Sequence, residues 1–528
     1  MYLMSYISSP LQPYSITLLI HFQTPLMGSL NAFSSPWRQK LCAPHTYVDE
    51  LPEYRTQSQV DSLITTSHPH SFELGTGASI YTNTILPAIL KARFEVILVT
   101  CFWAPSSTLT ALKDALEQLA RRRAQLMKES GPDADVAQPL RVRICFSSRS
   151  LFQKLFHTTS KEGYVYPPGK WPTQLGLPHP DVLRAGAIEL QVKSLFFLPF
   201  SVMHPKFVIV DRQRAWLPSC NVSWEAWLEG CVEITGDAVN GLLAFYRDTW
   251  DRSLDITSRA AEQAFSQPSI VPINRPRAVS IGLTSIQSPA RRIAAIEGKA
   301  TPTVLLPSSH HRNPCYRPLP WSEHPAPPST PLNSAIVMLL DMAEQYIYMQ
   351  TPNLTSAVVI DGILGAVQRG VEVTIVTSKG MMLLEQIVTA GTTTSICIRS
   401  LIGRYNQLVK STSNSRPAGS AASSEPMIDL EAGIRKIGRL RISYFHADDQ
   451  NQRQGAAEEP VQSHLKLSII DKQYTVLGSG NMDRASWFTS QELGILFHSS
   501  EFATVVSETV RDGLKGRADV VFDSHRMV

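Results

Sequence analysis

The chain has 528 residues, 43% hydrophobic and 18% charged, with a net charge of +4. That length calls for two or more domain-sized units. The mild charge singles out no polyanionic partner, and no run approaches the ~20 apolar residues of a membrane span. Seven cysteines, odd in number and without a Cys-x-x-Cys pair, argue against a disulfide framework and for a reducing compartment.

Taken in chain order, residues 1–70 show no core pattern and are expected to be irregular. Residues 16–22 are apolar, but no Lys or Arg precedes them and no small-residue cleavage site follows, so a signal peptide is not expected. Residues 71–265 form a first unit. Its periodicity predicts a helix over 86–92, a strand over 94–100, a helix over 109–127 and a strand over 140–146. Arg121-Arg-Arg123 falls inside the second of these helices and reads as a solvated face.

Residues 266–332 hold 13 of the 36 prolines and read as a linker. The His310-His311 pair within it is weak evidence for a metal. Residues 333–528 form a second unit with the same order: helix 334–344, strand 346–351, helix 357–369, strand 371–377. Residues 403–426, rich in Ser, Asn, Ala and Gly, read as a low-complexity insertion. Residues 446–460 are polar and acidic and lead into the motif described next. Strands alternating with helices in both units predict an α/β fold of two pseudo-symmetric halves, each a mixed sheet flanked by helices.

Each unit carries one copy of a spaced motif. The first is His204-Pro-Lys206, then Asp211, Ser219 and Asn221. The second is His464-Leu-Lys466, then Asp471, Ser479 and Asn481. All five residue types recur at equal offsets. The surrounding Val, Ile, Phe and Leu predict strands over 201–210 and 463–470, so each His and Lys, two apart, leave the same face. A reversal at Asp211 or Asp471 sends a return strand back beside the pair. The two aspartates lie at an odd offset from their histidines. They read as supports for the hairpin more than as reacting groups.

A histidine can attack phosphorus and form a phosphohistidine. A second, protonated histidine can donate to the leaving oxygen. Lys206, Lys466 and the Ser219, Asn221, Ser479 and Asn481 side chains are expected to bind the phosphate oxygens. Such chemistry needs no metal and no cofactor. Each imidazole also needs an orienting partner on its other nitrogen. Glu233 and Glu492, twelve and eleven residues after Asn221 and Asn481 within apolar runs, are the candidates.

The pattern His-x-Lys-x(4)-Asp-x(6)-Gly-Ser-x-Asn resembles the signature of the phospholipase D superfamily. Residues 464–481 match it fully, and residues 204–221 match except that Pro218 stands in place of Gly. The resemblance implies an active site between the two halves, His204 as nucleophile and His464 as acid and base. With both motifs in one chain, it also implies function as a monomer. Segments such as Gln350-Thr-Pro-Asn are most similar to the cardiolipin synthase and phospholipase D-like branch. That implies a phosphodiesterase or phosphatidyltransferase acting on phospholipid, in the cytoplasm or peripheral on a membrane. Trp224, Trp227, Trp487 and Phe488 are candidates for an apolar lining, with ordinary core packing the stronger reading for them. The alternatives are a nuclease of the same superfamily, which predicts a long basic groove, and a non-catalytic phosphate-binding scaffold, which predicts motifs too far apart to share one phosphate.

Overall fold

The computed structural model describes residues 30–44, 52–130, 138–150, 153, 162–197, 201–223, 226–251, 285–309, 326–414, 437–453 and 458–527. Helix α1 (Asn31–Cys42) opens the described chain, followed by strands β1 (Ile64–Thr76) and β2 (Glu95–Phe102). Helix α2 (Ser107–Ser130) leads to β3 (Leu140–Ser148), β4 (Ile188–Ser194), β5 (Phe207–Val210), β6 (Arg214–Pro218) and β7 (Trp227–Thr235), and α3 (Asp237–Trp250) closes this half. Next come β8 (Arg292–Ala295), β9 (Thr301–Ser308), α4 (Pro331–Met342), β10 (Tyr346–Thr351), α5 (Ala357–Gln368) and β11 (Glu372–Ser378). The rest is α6 (Leu383–Ala390), α7 (Thr394–Asn414), β12 (Leu440–Phe445), β13 (Gln462–Ser463), β14 (Leu467–Ile470), β15 (Tyr474–Gly478), α8 (Arg484–Phe488), β16 (Glu492–His498), α9 (Ser500–Gly513) and β17 (Ala518–Asp523).

The pairing is the same in both halves. The first sheet runs β1-β7-β6-β5-β2-β3-β4, with β2, β3 and β4 parallel and the others antiparallel. The second runs β9-β16-β15-β14-β10-β11-β12, with β10, β11 and β12 parallel, and adds β17 at its edge. The buried, β-branched interiors of β2, β3, β10 and β11 suit strands covered on both faces. The two sheets are joined by strand pairing, and a bridge also links Met203 with Gln491. Ile64–Ser67 of β1 pair with Thr301–Val304 of β9, and Trp227 and Leu228 pair with Gln462 and Ser463.

Two expectations about organisation fail. The segment 266–332 is not all linker, because β9 lies inside it and is the first strand of the second sheet; its residues are all buried. Two of its eight residues are proline, which hides its strand character in the sequence. The first 70 residues are not all irregular either. Phe33, Trp37 and Leu41 of α1 are fully buried in the larger core, and the Trp37 Nε1–H donates to the Pro331 carbonyl at 3.1 Å. Residues 403–414 of the expected insertion continue α7, while 415–426 lie outside the described residues, as does the His310-His311 pair.

Two cores result. One packs α2 against the first sheet, through residues such as Trp103, Leu116 and Phe146. The other runs through the second half and across the junction to β1, β7 and α3. Burial on this scale fixes the halves against each other, which matters because the site lies on their seam.

Candidate active site

Each His-x-Lys segment interrupts its strand where the chain changes partners. Ser201–Val202 and Gln462–Ser463 are short strands, and β5 and β14 begin only at Phe207 and Leu467. The expected continuous strands fail here because the backbone crosses to the other half. The His204 N–H donates to the Gln491 carbonyl at 2.9 Å, and the His464 N–H donates to the Leu228 carbonyl at 2.8 Å. Gly230 makes room for the crossing, since a Cβ there would stand 2.6 Å from Leu465 Cδ1.

The carboxylate partners cross as well. His204 Nδ1 meets Glu492 Oε2 at 2.8 Å and Oε1 at 3.0 Å. His464 Nδ1 meets Glu229 Oε1 at 2.7 Å. Each half thus orients the histidine of the other. Nδ1–H donating to a carboxylate leaves Nε2 unprotonated, the tautomer a nucleophile needs. Glu492 thus meets a motif histidine, that of the first half.

Glu233 is corrected. It lies four residues beyond Glu229 on β7, opposite Trp216, and pairs with Arg214 and Ser71. At ~3.4 Å per residue that is roughly 13 Å along the strand. Glu229 escapes the sequence because Glu233 lies at nearly the same distance from its asparagine as Glu492 does from Asn481. Glu229 follows Ser219 by ten residues and Glu492 follows Ser479 by thirteen. The longer second loop contains α8. A search for a buried strand Glu at either offset would have returned both.

The serines do not face substrate. The Ser219 hydroxyl donates to Glu229 and accepts from the Gly230 N–H at 2.9 Å. The Ser479 hydroxyl donates to Glu492 and accepts from the Leu493 N–H at 3.0 Å. Their hydrogen-bonding capacity is taken up in holding the carboxylates. The aspartates are likewise outside the site. Asp211 accepts from the N–H groups of Arg93, Phe94 and Glu95. Asp471 accepts from those of Glu344, Gln345 and Tyr346. Both sit at positive φ, 52° and 50°, at their hairpin turns, where their carboxylates are taken up by backbone N–H groups.

Both lysines reach inward. Lys206 Nζ donates to the His204 carbonyl at 2.9 Å and Lys466 Nζ to the His464 carbonyl at 2.7 Å, and both residues are buried. The two motifs share one electrostatic environment. The charge of Lys466 acts on His204, that of Lys206 acts on His464, and both Glu229 and Glu492 act on Lys466. Burial pushes the His464 imidazole down to about 4 against the pull of Glu229, and it also lowers His204. Burial pushes the Lys466 ammonium down to about 7. Burial opposes ionisation of Glu229, yet His464, Lys466 and the Ser219 hydroxyl hold it below the usual carboxylate range.

The asparagines differ. Asn221 Oδ1 accepts from Thr100 Oγ1 and from the N–H groups of Cys101 and Phe102, so its Nδ2 has no protein partner among the described residues. Asn481 Nδ2 instead donates to Asp483 at 3.0 Å, and its Oδ1 is buried without a partner. Asp483 was not anticipated. Burial raises its carboxyl pKa. Of the expected lining, Trp227 packs against the His464 ring, with centroids 4.9 Å apart. Trp487 and Phe488 are core residues, and Trp224 lies outside the described residues.

The family described as cardiolipin synthase, PLD-like domain, matches residues 336–512. No curated protein sequence matches the chain. Among solved structures, phosphatidylserine synthase from Haemophilus influenzae Rd KW20 is similar at 12% identity, with a TM-score of 0.48 and 92% of each chain covered. Nuc from Salmonella typhimurium, a phospholipase D family member, is similar at 16% identity and a TM-score of 0.23, over 35% of this chain and 88% of that one. Polyphosphate kinase from Porphyromonas gingivalis is similar at 11% identity and a TM-score of 0.36, over 81% of this chain and 47% of that one. The family match places its phospholipase D-like domain at residues 336–512, in the second half, and the first half repeats that half's strand order and its motif.

Proposed function

We propose that the protein transfers the phosphatidyl group of a phospholipid to water or an alcohol through a phosphohistidine intermediate. The observation that carries this is the crossed pairing of His204 with Glu492 and His464 with Glu229. It leaves two imidazoles, each with its Nε2 free, and two buried lysines on one seam.

His204 Nε2 attacks phosphorus, and the bond to the leaving alkoxide breaks as His464 gives that oxygen its proton. His464 then takes a proton from the incoming water or alcohol, whose oxygen displaces His204. Burial disfavours the His464 imidazolium, so the ring gains its proton alongside the anionic phosphate, whose charge favours the protonated form. Lys206, Lys466 and the Asn221 amide stabilise the non-bridging oxygens. The lipid reading follows the family matched by residues 336–512. It implies work at a membrane surface, and among the described residues no helix is long and apolar enough to cross one.

The test offers phosphatidylcholine vesicles, phosphatidylglycerol vesicles and single-stranded DNA to the purified protein with EDTA present. Lipid turnover is expected, and His204→Ala is expected to reduce it by at least about 10³-fold. DNA cleavage without lipid turnover would overturn the reading in favour of a nuclease.

A further inference from the structure

Helix α6 presents two unlike faces. Gln386, Thr389 and Ala390 are buried. On the adjoining flank Leu384 and Ile387, with Leu383 and the N-cap Met382 at the helix start, are 40–77% exposed, and Ile396 of α7 is 52% exposed. Surface residues of this size are unremarkable when scattered, but three consecutive ones with two neighbours form a patch that calls for an occupant.

The helix is tied to the second motif at two points. Ser378, at the end of β11, donates to the Ser463 carbonyl at 2.7 Å and accepts from the Ser463 N–H at 3.0 Å, one residue before His464. Only Lys379, Gly380, Met381 and Met382 separate Ser378 from α6. On the buried face the Gln386 amide meets the Asn353 amide at 2.9 Å, Asn353 meets Asp483 at 3.4 Å, and Asp483 holds Asn481. The helix that carries the apolar residues is therefore joined to the second motif through Ser378 and through one buried hydrogen-bonded chain.

We propose that this face of α6, with Ile396, is the surface by which the enzyme seats on a lipid bilayer. The inference rests on the lipid reading above and adds where the bilayer lies. A lipid phosphate is separated from its acyl chains only by the glycerol, so a phosphate seated between His204 and His464 holds its chains near the site mouth. Large apolar side chains on a helix joined to that motif can enter the headgroup–acyl boundary by ~5–10 Å. The charge fits as well. From 379 to 399 the charged residues are Lys379, Glu385 and Arg399, and the exposed Lys379 and Arg399 flank the patch, where anionic headgroups would meet them.

The experiment measures co-flotation of the full chain with phosphatidylcholine–phosphatidylglycerol vesicles, using wild type, His204→Ala and the double variant Leu383→Asp/Leu384→Asp. Wild type and His204→Ala are expected to float alike, since binding needs no turnover. The double variant is expected to partition at least about tenfold more weakly. Its turnover of a water-soluble aryl phosphodiester should remain at wild-type level, which also reports an intact fold. In a second measurement, Leu384→Trp fluorescence should shift to the blue on adding vesicles. The proposal is overturned if wild type does not float, or if the double variant floats as wild type does. It is also overturned if the substitutions change only the oligomeric state, which would make the face a self-association surface. Failure of the lipid chemistry reads differently: the protein would float and yet leave every phospholipid intact.

Discussion

The two histidines sit in matching frames but not in matching surroundings. His204 keeps 15% of its side chain exposed and meets both oxygens of Glu492. His464 is 4% exposed, meets one oxygen of Glu229 and has the Trp227 ring against it. Asn221 leaves an amide N–H₂ for substrate, whereas Asn481 gives its own to Asp483, a position where the first half has Ser223. A duplicated fold need not yield two equivalent actors. Here the residue types that fix orientation are preserved, while burial and the neighbouring polar groups separate the two sites. Such separation lets chemically identical groups take opposite proton roles.

The largest expected effect comes from breaking the crossed carboxylates one at a time. Glu492→Gln and Glu229→Gln should each lower turnover by at least about 10²-fold, because an orienting carboxylate also fixes the imidazole tautomer. The pH profiles then tell the halves apart. Each carboxylate raises the pKa of its histidine, so its loss lowers that pKa. With His204 as nucleophile, Glu492→Gln moves the acidic limb of kcat/KM to lower pH. With His464 as acid, Glu229→Gln moves the alkaline limb to lower pH. Interchanged limbs would exchange the two roles, and identical profiles would remove the asymmetry.

That crossing was only partly legible. The motifs, the α/β alternation and the duplication follow from residue spacing and apolar period, which are local. Strand β10 at Tyr346–Thr351 coincides with its expected span. The partners of His204 and His464 lie 288 and 235 residues away. No local pattern chooses between Glu229 and Glu233, two carboxylates on one face of β7. Only the place where β7 meets Gln462 and Ser463 decides it. Strand β9 was hidden for a related reason. Its prolines look like linker punctuation, yet the strand is completed by pairing with β1 and β16, one from each half. The strand break at each His-x-Lys was invisible too, because it serves an inter-half hydrogen bond.

A smaller effect sharpens the comparison through Lys466. Its pKa of about 7 lies below that of the unfolded chain, so it sheds its proton as pH rises through neutrality. The two imidazoles, both lowered from 6.5, have already lost theirs. Sulfate keeps its charge across this range and serves as a phosphate mimic. Its affinity, measured by calorimetry, should fall about tenfold between pH 6.5 and 8.5, with proton uptake on binding. Lys466→Arg should shrink that fall to the part contributed by His464 protonation, since a guanidinium stays charged. A wild-type affinity independent of pH would show that Lys466 keeps its proton, and the second half would lose one of its distinguishing features.

The smallest effect concerns the loop that carries each serine. Gly478 has φ 150°, and a Cβ there would stand 2.3 Å from the Leu493 carbonyl oxygen and 2.7 Å from Gly494 Cα. Both contacts are with backbone on the neighbouring β16, so neither can yield cheaply. The first half has Pro218 at this place, paired with Cys231, and proline holds φ near −65°. The two backbones therefore cannot be congruent where they turn toward Glu229 and Glu492, even though Ser219 and Ser479 bind those carboxylates alike. Gly478→Ala should destabilise the protein by at least about 2 kcal/mol, read from the urea midpoint. Pro218→Ala, which meets no positive φ, should stay within about 1 kcal/mol of wild type. Equal midpoints for the two variants would mean that the loops share one conformation after all. The functional difference between the halves would then have to arise from Trp227 and Asp483 alone.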